Sequence, residues 1–183
     1  ISLYNCFDDQ EVKDLRLNAF FEAREDEQYK VAKVVEKVYD CFVIRSAELY
    51  LNKAEAEAML DKAEAKQTIK TLLNNRFEGG IPDVDGLNEK DLISFIRDER
   101  RRELCFEAHR WFDLRRYAVS SKYPEKKSIR HETYDKNGVL EGDYVLKPYG
   151  EDPAWVLPIP GYEIVYNQGN LVDNPQRVER KLE

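Results

Sequence analysis

Several things are scarce in this sequence, and each shortage excludes a class of function. No apolar run approaches the roughly 18 to 20 residues that a membrane-crossing helix needs, so nothing reads as a transmembrane segment. A basic excess is missing as well. The 29 Lys and Arg are outnumbered by 36 Asp and Glu, for a net charge of −7. A general nucleic-acid binder needs a basic face to displace counterions, so no nucleic-acid partner is expected. Simple adhesion to anionic lipid is excluded on the same ground.

Cysteine is rare. Cys6, Cys41 and Cys105 are odd in number and lie 35 and 64 residues apart. Neither a disulfide framework nor a zinc site follows from that spacing, and the three read as small apolar residues. Histidine is limited to His109 and His131. His109 stands one helical turn from Cys105, and a thiol can be activated by such a neighbour. Cys105, however, sits between Leu104 and Phe106 in a helical stretch, where a substrate has little access. The chain has no glycine-rich phosphate loop, no Gly-x-Ser-x-Gly and no His-Glu-x-x-His. Asp83-Val84-Asp85-Gly86 starts like a calcium loop, but position twelve is Ser94 where glutamate is required. It reads as an Asx turn. No cofactor, metal or catalytic residue is expected.

What is present is charge, with 36% charged residues against 42% hydrophobic ones. That mixture suits long solvated helices around a real core. Residues 1–40 give mixed signals: Asp14 to Leu17 and Phe20-Phe21 suit strand or turn, and 31–39 a short strand or irregular segment. From Phe42 to Met59 the pattern is helical. Ile44, Ala47, Leu51, Ala54 and Ala58 form one stripe, Leu49, Tyr50 and Ala56 widen it, and Glu48, Glu55 and Glu57 face solvent. The alanines leave room for a second helix to approach closely. That helix runs from Lys62 to Arg76, with Asp61 as its cap and Ala65, Ile69, Leu72 and Leu73 on its apolar face. So short a break folds the pair into a hairpin. A Gly- and Asp-rich loop over 79–86 follows, and Asn88 or Asp91 opens a long helix through about Tyr117.

The rest is different in kind. Prolines at 148, 153, 158 and 160 forbid a long helix. Asn137-Gly138 predicts a tight turn between two strands. Trp155 to Pro160 reads as extended and buried, and 163–165 as one helical turn. The fold class is therefore mainly α: a tetratricopeptide-like helical hairpin plus a long helix, with an irregular, partly β-hairpin C-terminal part. Helical pairs of this kind need neighbours to cover their faces. The expected organisation is a single domain over 1–181, the C-terminal portion of a longer protein, with residues 182–183 a cloning scar.

Residues 97–116, RDERRRELCFEAHRWFDLRR, hold seven arginines and five acids. Glu99, Glu103 and Glu107 step by four, and two close carboxylates can form a general acid. Arginines alternate with them, so ion pairing along the helix is the better reading: Asp98 with Arg101 and Arg102, Arg100 with Glu103, Glu107 with Arg110. Leu104, Phe106, Trp111, Phe112 and Leu114 are the expected anchors. In the loop-rich part, Tyr134, Tyr144 and Tyr149 are candidate ligand contacts, because sugar C–H surfaces stack on aromatic faces. Cross-strand packing is the competing role for such tyrosines. Trp155 is expected in the core.

At this point a resemblance enters. Arg45-Ser46-Ala47-Glu48-Leu49-Tyr50-Leu51-Asn52-Lys53-Ala54-Glu55-Ala56 resembles the R-x-A-E-x-Y-L-x-x-A-E-A signature of the SusD/RagB family. Leu73-Asn74-Asn75-Arg76 is similar to its L-N-x-x-R. Residues 99–116 are close to E-R-R-R-E-L-A-F-E-G-x-R-W-F-D-L-R-R, with Cys105 for a small residue and Ala108 for a glycine. Leu157-Pro158-Ile159-Pro160, then Glu163-Ile164, then Asn174-Pro175 match the family's ending. The likeness is firm over about 42–177 and loose over 1–41.

The resemblance implies a structural role for the motif residues Arg45, Glu48, Glu99, Glu103, Arg110, Trp111, Asp113 and Arg116. It implies a surface-exposed lipoprotein of the outer membrane in Bacteroidetes-type bacteria. Such a protein binds an oligosaccharide or other nutrient, performs no bond chemistry, and partners a SusC-like TonB-dependent transporter. Membrane contact would come only through an N-terminal lipid anchor absent from this chain; Cys6 has no lipobox before it. The other reading is a helical-repeat scaffold that binds proteins and no small ligand.

Overall fold

A computed structural model describes Phe7 and residues 12–24, 29–33 and 44–174. The chain forms two compact units, residues 1–111 and 112–183. Cys6, Cys41 and the segment 34–39 read as strand or irregular lie outside the described residues, as does the 182–183 pair. The fold is mainly α, as expected, with short two-stranded sheets.

In the first unit, helices α2 (Ser46–Met59) and α3 (Glu64–Leu73) make the predicted hairpin, and α2 also packs on α4 (Glu89–Glu103). The small-residue stripe explains the packing. Ala47, Leu51, Ala54 and Ala58 are buried, and the alanines let the neighbouring backbones come close. Ala65, Ile69, Leu72 and Leu73 meet them from α3, and Leu92, Ile93 and Ile96 from α4. Burying each of these larger aliphatic side chains stabilises by about 1.5–3 kcal/mol. Ile44 is not part of the stripe: it precedes the helix and is exposed. Leu49 and Tyr50 are exposed too, and Glu55 is buried against Arg97 rather than facing water.

Turn chemistry corrects one expectation and bears out two. Asp61 does not cap α3; it sits at φ 57° in the interhelix turn, and Ala63 holds the cap position. Short polar residues tolerate that left-handed backbone better than most. Asp83 Oδ1 accepts from the Asp85 and Gly86 amides at 2.9 and 3.4 Å, the expected Asx turn. Asn88 Oδ1 accepts from the Asp91 amide at 3.0 Å and caps α4.

Residues 13–23 are only partly extended. β1 (Lys13–Asp14) pairs antiparallel with β4 (Phe77–Glu78), and α1 (Arg16–Phe20) then leads into β2 (Phe21–Ala23), paired with β3 (Tyr29–Val31). The β1–β4 pairing sets the Leu15 amide on the Arg76 carbonyl at 2.9 Å. It thereby brings Arg16 and Arg76 side by side, sixty residues apart in sequence.

The expected long helix is broken. α4 ends at Glu103, a turn covers 104–108, and α5 (His109–Ala118) begins in the first unit and ends in the second. Phe106 and Ala108 take φ of 65° and 61°, which no α-helix can contain. Leu104 and Leu114 are buried as anchors, whereas Phe106 is exposed and Phe112 is 64% exposed; Trp111 is half-buried.

In the second unit, β5 (Ile129–Tyr134) and β6 (Leu140–Leu146) form the predicted hairpin over Asn137-Gly138. Asp135 Oδ1 accepts from the Asn137 and Val139 amides, both at 2.8 Å, and Gly138 supplies φ 80°. Trp155 is core, held by its indole N–H on the Lys147 carbonyl at 2.7 Å. The buried run stops there. Val156 and Leu157 are exposed, so the expected buried strand to Pro160 is one 3-10 turn (Pro153–Trp155) and a surface segment. α6 (Gly161–Tyr166) lengthens the single expected turn. Asn174 Nδ2 donates to the Leu157 carbonyl at 2.7 Å, tying the two closing motifs together.

Candidate functional site

Two places gather the residues singled out by the sequence: a buried charge cluster in the first unit and the tyrosine-bearing hairpin in the second.

The cluster is built on the end of α4. Its acidic edge, Glu99 and Glu103, lies one helical turn apart and faces elements far off in sequence. Arg16 Nη1 donates to Glu99 at 2.6 Å and to Glu103 at 3.0 Å, while its other side is taken by Asp14 at 2.7 Å. Arg76 donates to both Glu103 oxygens at 2.8 and 2.9 Å. Arg45 reaches Glu103 at 2.7 Å and Glu107 at 2.8 and 2.9 Å. Lys33 reaches Glu107, and Arg102 closes the group on Glu99. Five cations thus surround four carboxylates.

The turn at 104–108 is part of this geometry. Ending α4 at Glu103 frees carbonyls that a helix would have used. Arg45 Nη2 takes the Glu103 carbonyl at 2.6 Å, and Lys33 Nζ takes the Glu103 and Cys105 carbonyls at 2.6 and 3.0 Å. Cations at a helix C-terminus also meet the negative end of its dipole. The turn swings Glu107 back beside Glu103, so both face Arg45.

The opposite edge of α4 carries cations. Arg97 pairs with Glu55 at 3.4 Å, and Arg100 with Glu48 at 3.6 Å and with Asn52 Oδ1 at 2.8 Å, all on α2. The helix therefore accepts along one edge and donates along the other. Glu107, expected to pair along the helix, reaches Arg45 and Lys33, which lie far off in sequence. Arg102 with Glu99 and Arg116 with Asp113 pair at i,i+3.

The electrostatics fit anchoring rather than proton transfer. Burial pushes the Glu103 carboxyl up, but hydrogen bonds from Arg76 and Arg45 more than offset it and bring it to about 2. Burial also raises Glu107, and Arg45 and Lys33 pull it below its ordinary value. Burial works against the Arg16 charge, yet Glu99 and Asp14 hold it firmly protonated. A carboxyl ionised down to such pH has no proton to give near neutrality. The Cys105 thiol is pushed up by burial, only partly countered by Lys33. His109 Nδ1 lies 3.8 Å from Glu48 rather than on that thiol. A hollow of about 430 Å³ opens beside the cluster between Phe20 and Arg45. Its charged walls are already paired with each other.

The motif residues thus separate. Arg45, Glu99 and Glu103 meet in one cluster, Glu48 serves the α2 side, and Arg110 and Trp111 are half-buried on α5. Sequence reasoning missed Asp14, Arg16 and Lys33. They lie on short, irregular stretches with no periodicity to reveal them, and nothing local marks them as partners of α4.

The tyrosines separate as well. Tyr134 is 55% exposed at the end of β5. Tyr144 pairs across the hairpin with His131, which puts it on the opposite face from Tyr134. Tyr149 stands edge-on to Trp155 at 6.0 Å with the Arg115 guanidinium 5.2 Å from its ring centre. The three do not form one platform. Among the described residues no helix is long and apolar enough to cross a membrane.

Comparison with known proteins agrees with this architecture. A model of the SusD family matches residues 16–176. SusD-like protein P2 of Formosa agariphila is 28% identical over 142 residues, 72% of this chain and 25% of that protein. SusD-like protein P38 of the same organism is 40% identical over 79 residues, 39% of this chain and 16% of that protein. The chain therefore spans about a quarter or less of these curated relatives. A crystal structure of a SusD-like carbohydrate-binding protein from Bacteroides vulgatus superposes with a TM-score of 0.57 at 21% identity, covering 91% of this chain and 40% of that one. With the helical hairpin, the arginine-gripped end of α4 and the closing Asn174–Leu157 tie all falling inside the matched span, the chain belongs to the SusD family.

Proposed function

We propose that this chain is part of a surface protein that binds a glycan, or a comparable nutrient oligomer, and hands it to a SusC-like TonB-dependent transporter in the outer membrane. The family match over 16–176 carries this reading. The ion-pair cluster supports it indirectly: its charges are spent on one another, which suits a rigid frame whose ligand contacts lie elsewhere. Tyr134, Tyr144 and Tyr149 are the candidate contacts in the loop-rich part, of which Tyr134 and Tyr144 are exposed. In this reading a lipid anchor outside the chain holds the protein at the outer membrane, and no bond is made or broken.

The test is affinity electrophoresis of the whole protein in native gels containing plant, algal and storage polysaccharides in turn. Retardation by at least one of them is expected. Unretarded migration in every gel, together with co-purification of the transporter, would replace this reading with a protein-binding scaffold.

A further inference from the structure

The charge cluster at the end of α4 is paired throughout and still not neutral. Among the described residues its five cations exceed its four carboxylates by one. The negative end of the α4 dipole offsets about half a charge, which leaves the group positive. That excess lies at the hollow of about 430 Å³, whose walls hold Arg16, Lys33, Arg45 and Arg76 but only Glu103 and Glu107 from the acids. Two of these cations are open to solvent: the Arg45 side chain is 33% exposed and that of Arg76 24%. A guanidinium has five N–H donors. Arg45 uses four of them, on Glu107 and on the carboxylate and carbonyl of Glu103. Arg76 uses three, on Glu103 and on the Asn75 carbonyl. Both keep donor capacity on their Nη atoms. The rest of the hollow includes an apolar ledge of Leu15, Ala19 and Phe20, the first two exposed.

We propose that this hollow is an anion site that takes a single carboxylate, held by the remaining N–H groups of Arg45 and Arg76, with its carbon body against Leu15, Ala19 and Phe20. The charge excess sets the valence. One carboxylate brings the cluster close to neutrality. A dianion such as sulfate overshoots it and meets Glu103 and Glu107 on the same walls, where like charges repel. Geometry favours a carboxylate as well, because guanidinium edges match its two coplanar oxygens, and charge-assisted hydrogen bonds of that kind are roughly twice as strong as neutral ones. The hollow is larger than acetate needs and falls within the range of small-ligand pockets, so the carboxylate can be free or carried by a body as large as a sugar acid. The chain as a whole carries −7. Attraction therefore acts at contact range, through the guanidinium edges, while charges more than about 8 Å away are largely screened at physiological salt.

This goes beyond the glycan-binding reading and does not rest on it, since retardation by neutral polysaccharides is unaffected by either result. The test is thermal unfolding of the protein at pH 7 and constant ionic strength, with sodium chloride replaced stepwise by acetate, glucuronate or sulfate, and with glucose as the uncharged control. Ala19→Glu provides the reference. Ala19 is exposed, lines the hollow and has no part in the ion pairs, so glutamate there supplies a carboxylate from the chain itself. General salt effects on stability act on wild type and variant alike, and the difference between them reads the site. Acetate and glucuronate should raise the wild-type melting temperature saturably, by about 3–5 °C at ten times the half-saturating concentration, beyond any rise in Ala19→Glu. Sulfate should give less than half that difference, and glucose none. In chloride alone Ala19→Glu should melt about 2 °C above Ala19→Gln. Half-saturation by glucuronate at about fivefold lower concentration than acetate assigns the carboxylate to a sugar acid, through the added contact with the ledge; equal half-saturation assigns it to a free carboxylate. Equal rises in wild type and Ala19→Glu, a response to glucose matching that to glucuronate, or equal melting of Ala19→Glu and Ala19→Gln overturns the anion site.

Discussion

Arg45 grips Glu103 at two levels: Nη1 donates to its carboxylate at 2.7 Å and Nη2 to its backbone carbonyl at 2.6 Å. One side chain thus neutralises a buried acid and caps the helix that carries it. The same guanidinium reaches on to Glu107, so the turn after α4 is held shut by the residue that opens α2.

Removing the centre of that grip should be costly. Glu103 is buried and accepts from three arginines on three separate stretches of the chain. Taking away one partner of a buried charged group leaves the others uncompensated, at about 3–5 kcal/mol. Glu103→Gln is therefore expected to lower the free energy of unfolding by that order, read from urea denaturation by circular dichroism. Arg45→Ala should cost less, because its side chain is 33% exposed and water can replace part of what is lost. Arg45→Lys should not restore the loss, since an ammonium cannot span two acceptors in the fixed fork of a guanidinium.

Acid should undo the same cluster. The Glu103 carboxyl titrates at about 2 in the fold against 4.5 for the free group. A depressed value means stability that is complete above about pH 4.5 and is lost progressively as the pH falls toward 2. Glu107 is lowered too and adds in the same direction. For Glu103 the linked loss is on the order of 3 kcal/mol. Urea midpoints measured from pH 6 down to 2.5 should fall along this limb, with a visibly shallower fall in Glu103→Gln. An identical slope in the variant would count against the assignment.

Ala108 occupies a left-handed backbone position at φ 61°, where the resembling motif has glycine. An L-residue there is strained by about 1–2 kcal/mol, and glycine gives back part of the gain through the entropy of the unfolded chain. Ala108→Gly should raise stability by about 0.5–1 kcal/mol, seen as a higher melting temperature. A fall would mean that the turn depends on the alanine methyl.

The Cys105 thiol is 8% exposed, and burial raises its pKa. Thiolate is the reactive form. Iodoacetamide at pH 8 should leave the Cys105 peptide unmodified in the native protein and modify it fully in guanidinium, as read by mass spectrometry of the digest. Rapid native modification would show that the 104–108 turn opens readily.

Local rules reached far along this chain. The alanine-lined stripe of α2, the Asn88 cap, the Asp83 turn and the Asn137-Gly138 hairpin depend on residues within a few positions of one another, and each was legible. The break in the long helix was not. Helical periodicity continues straight through Leu104, Phe106 and Leu114. Only the motif's glycine at the position of Ala108 marked a left-handed residue. Exposure was also misjudged where apolar residues run together, as at Phe112, Val156 and Leu157, because pattern alone does not say which side of a surface element meets the core.

The sequence by itself determined the class of the fold, the helical hairpin, the turns and the family, because these follow from short-range geometry and from motifs in a set order. Tertiary structure alone decided what the charges are for. Arg16, Lys33, Arg45 and Arg76 come from four separate stretches of the chain, and nothing local says that they converge on Glu103 and its neighbours. Burial then settles the matter. In water the same acids and arginines would be worth a few tenths of a kcal/mol along one helix face. Removed from water, each carboxylate needs its partners in place, and the cluster becomes what holds the end of α4.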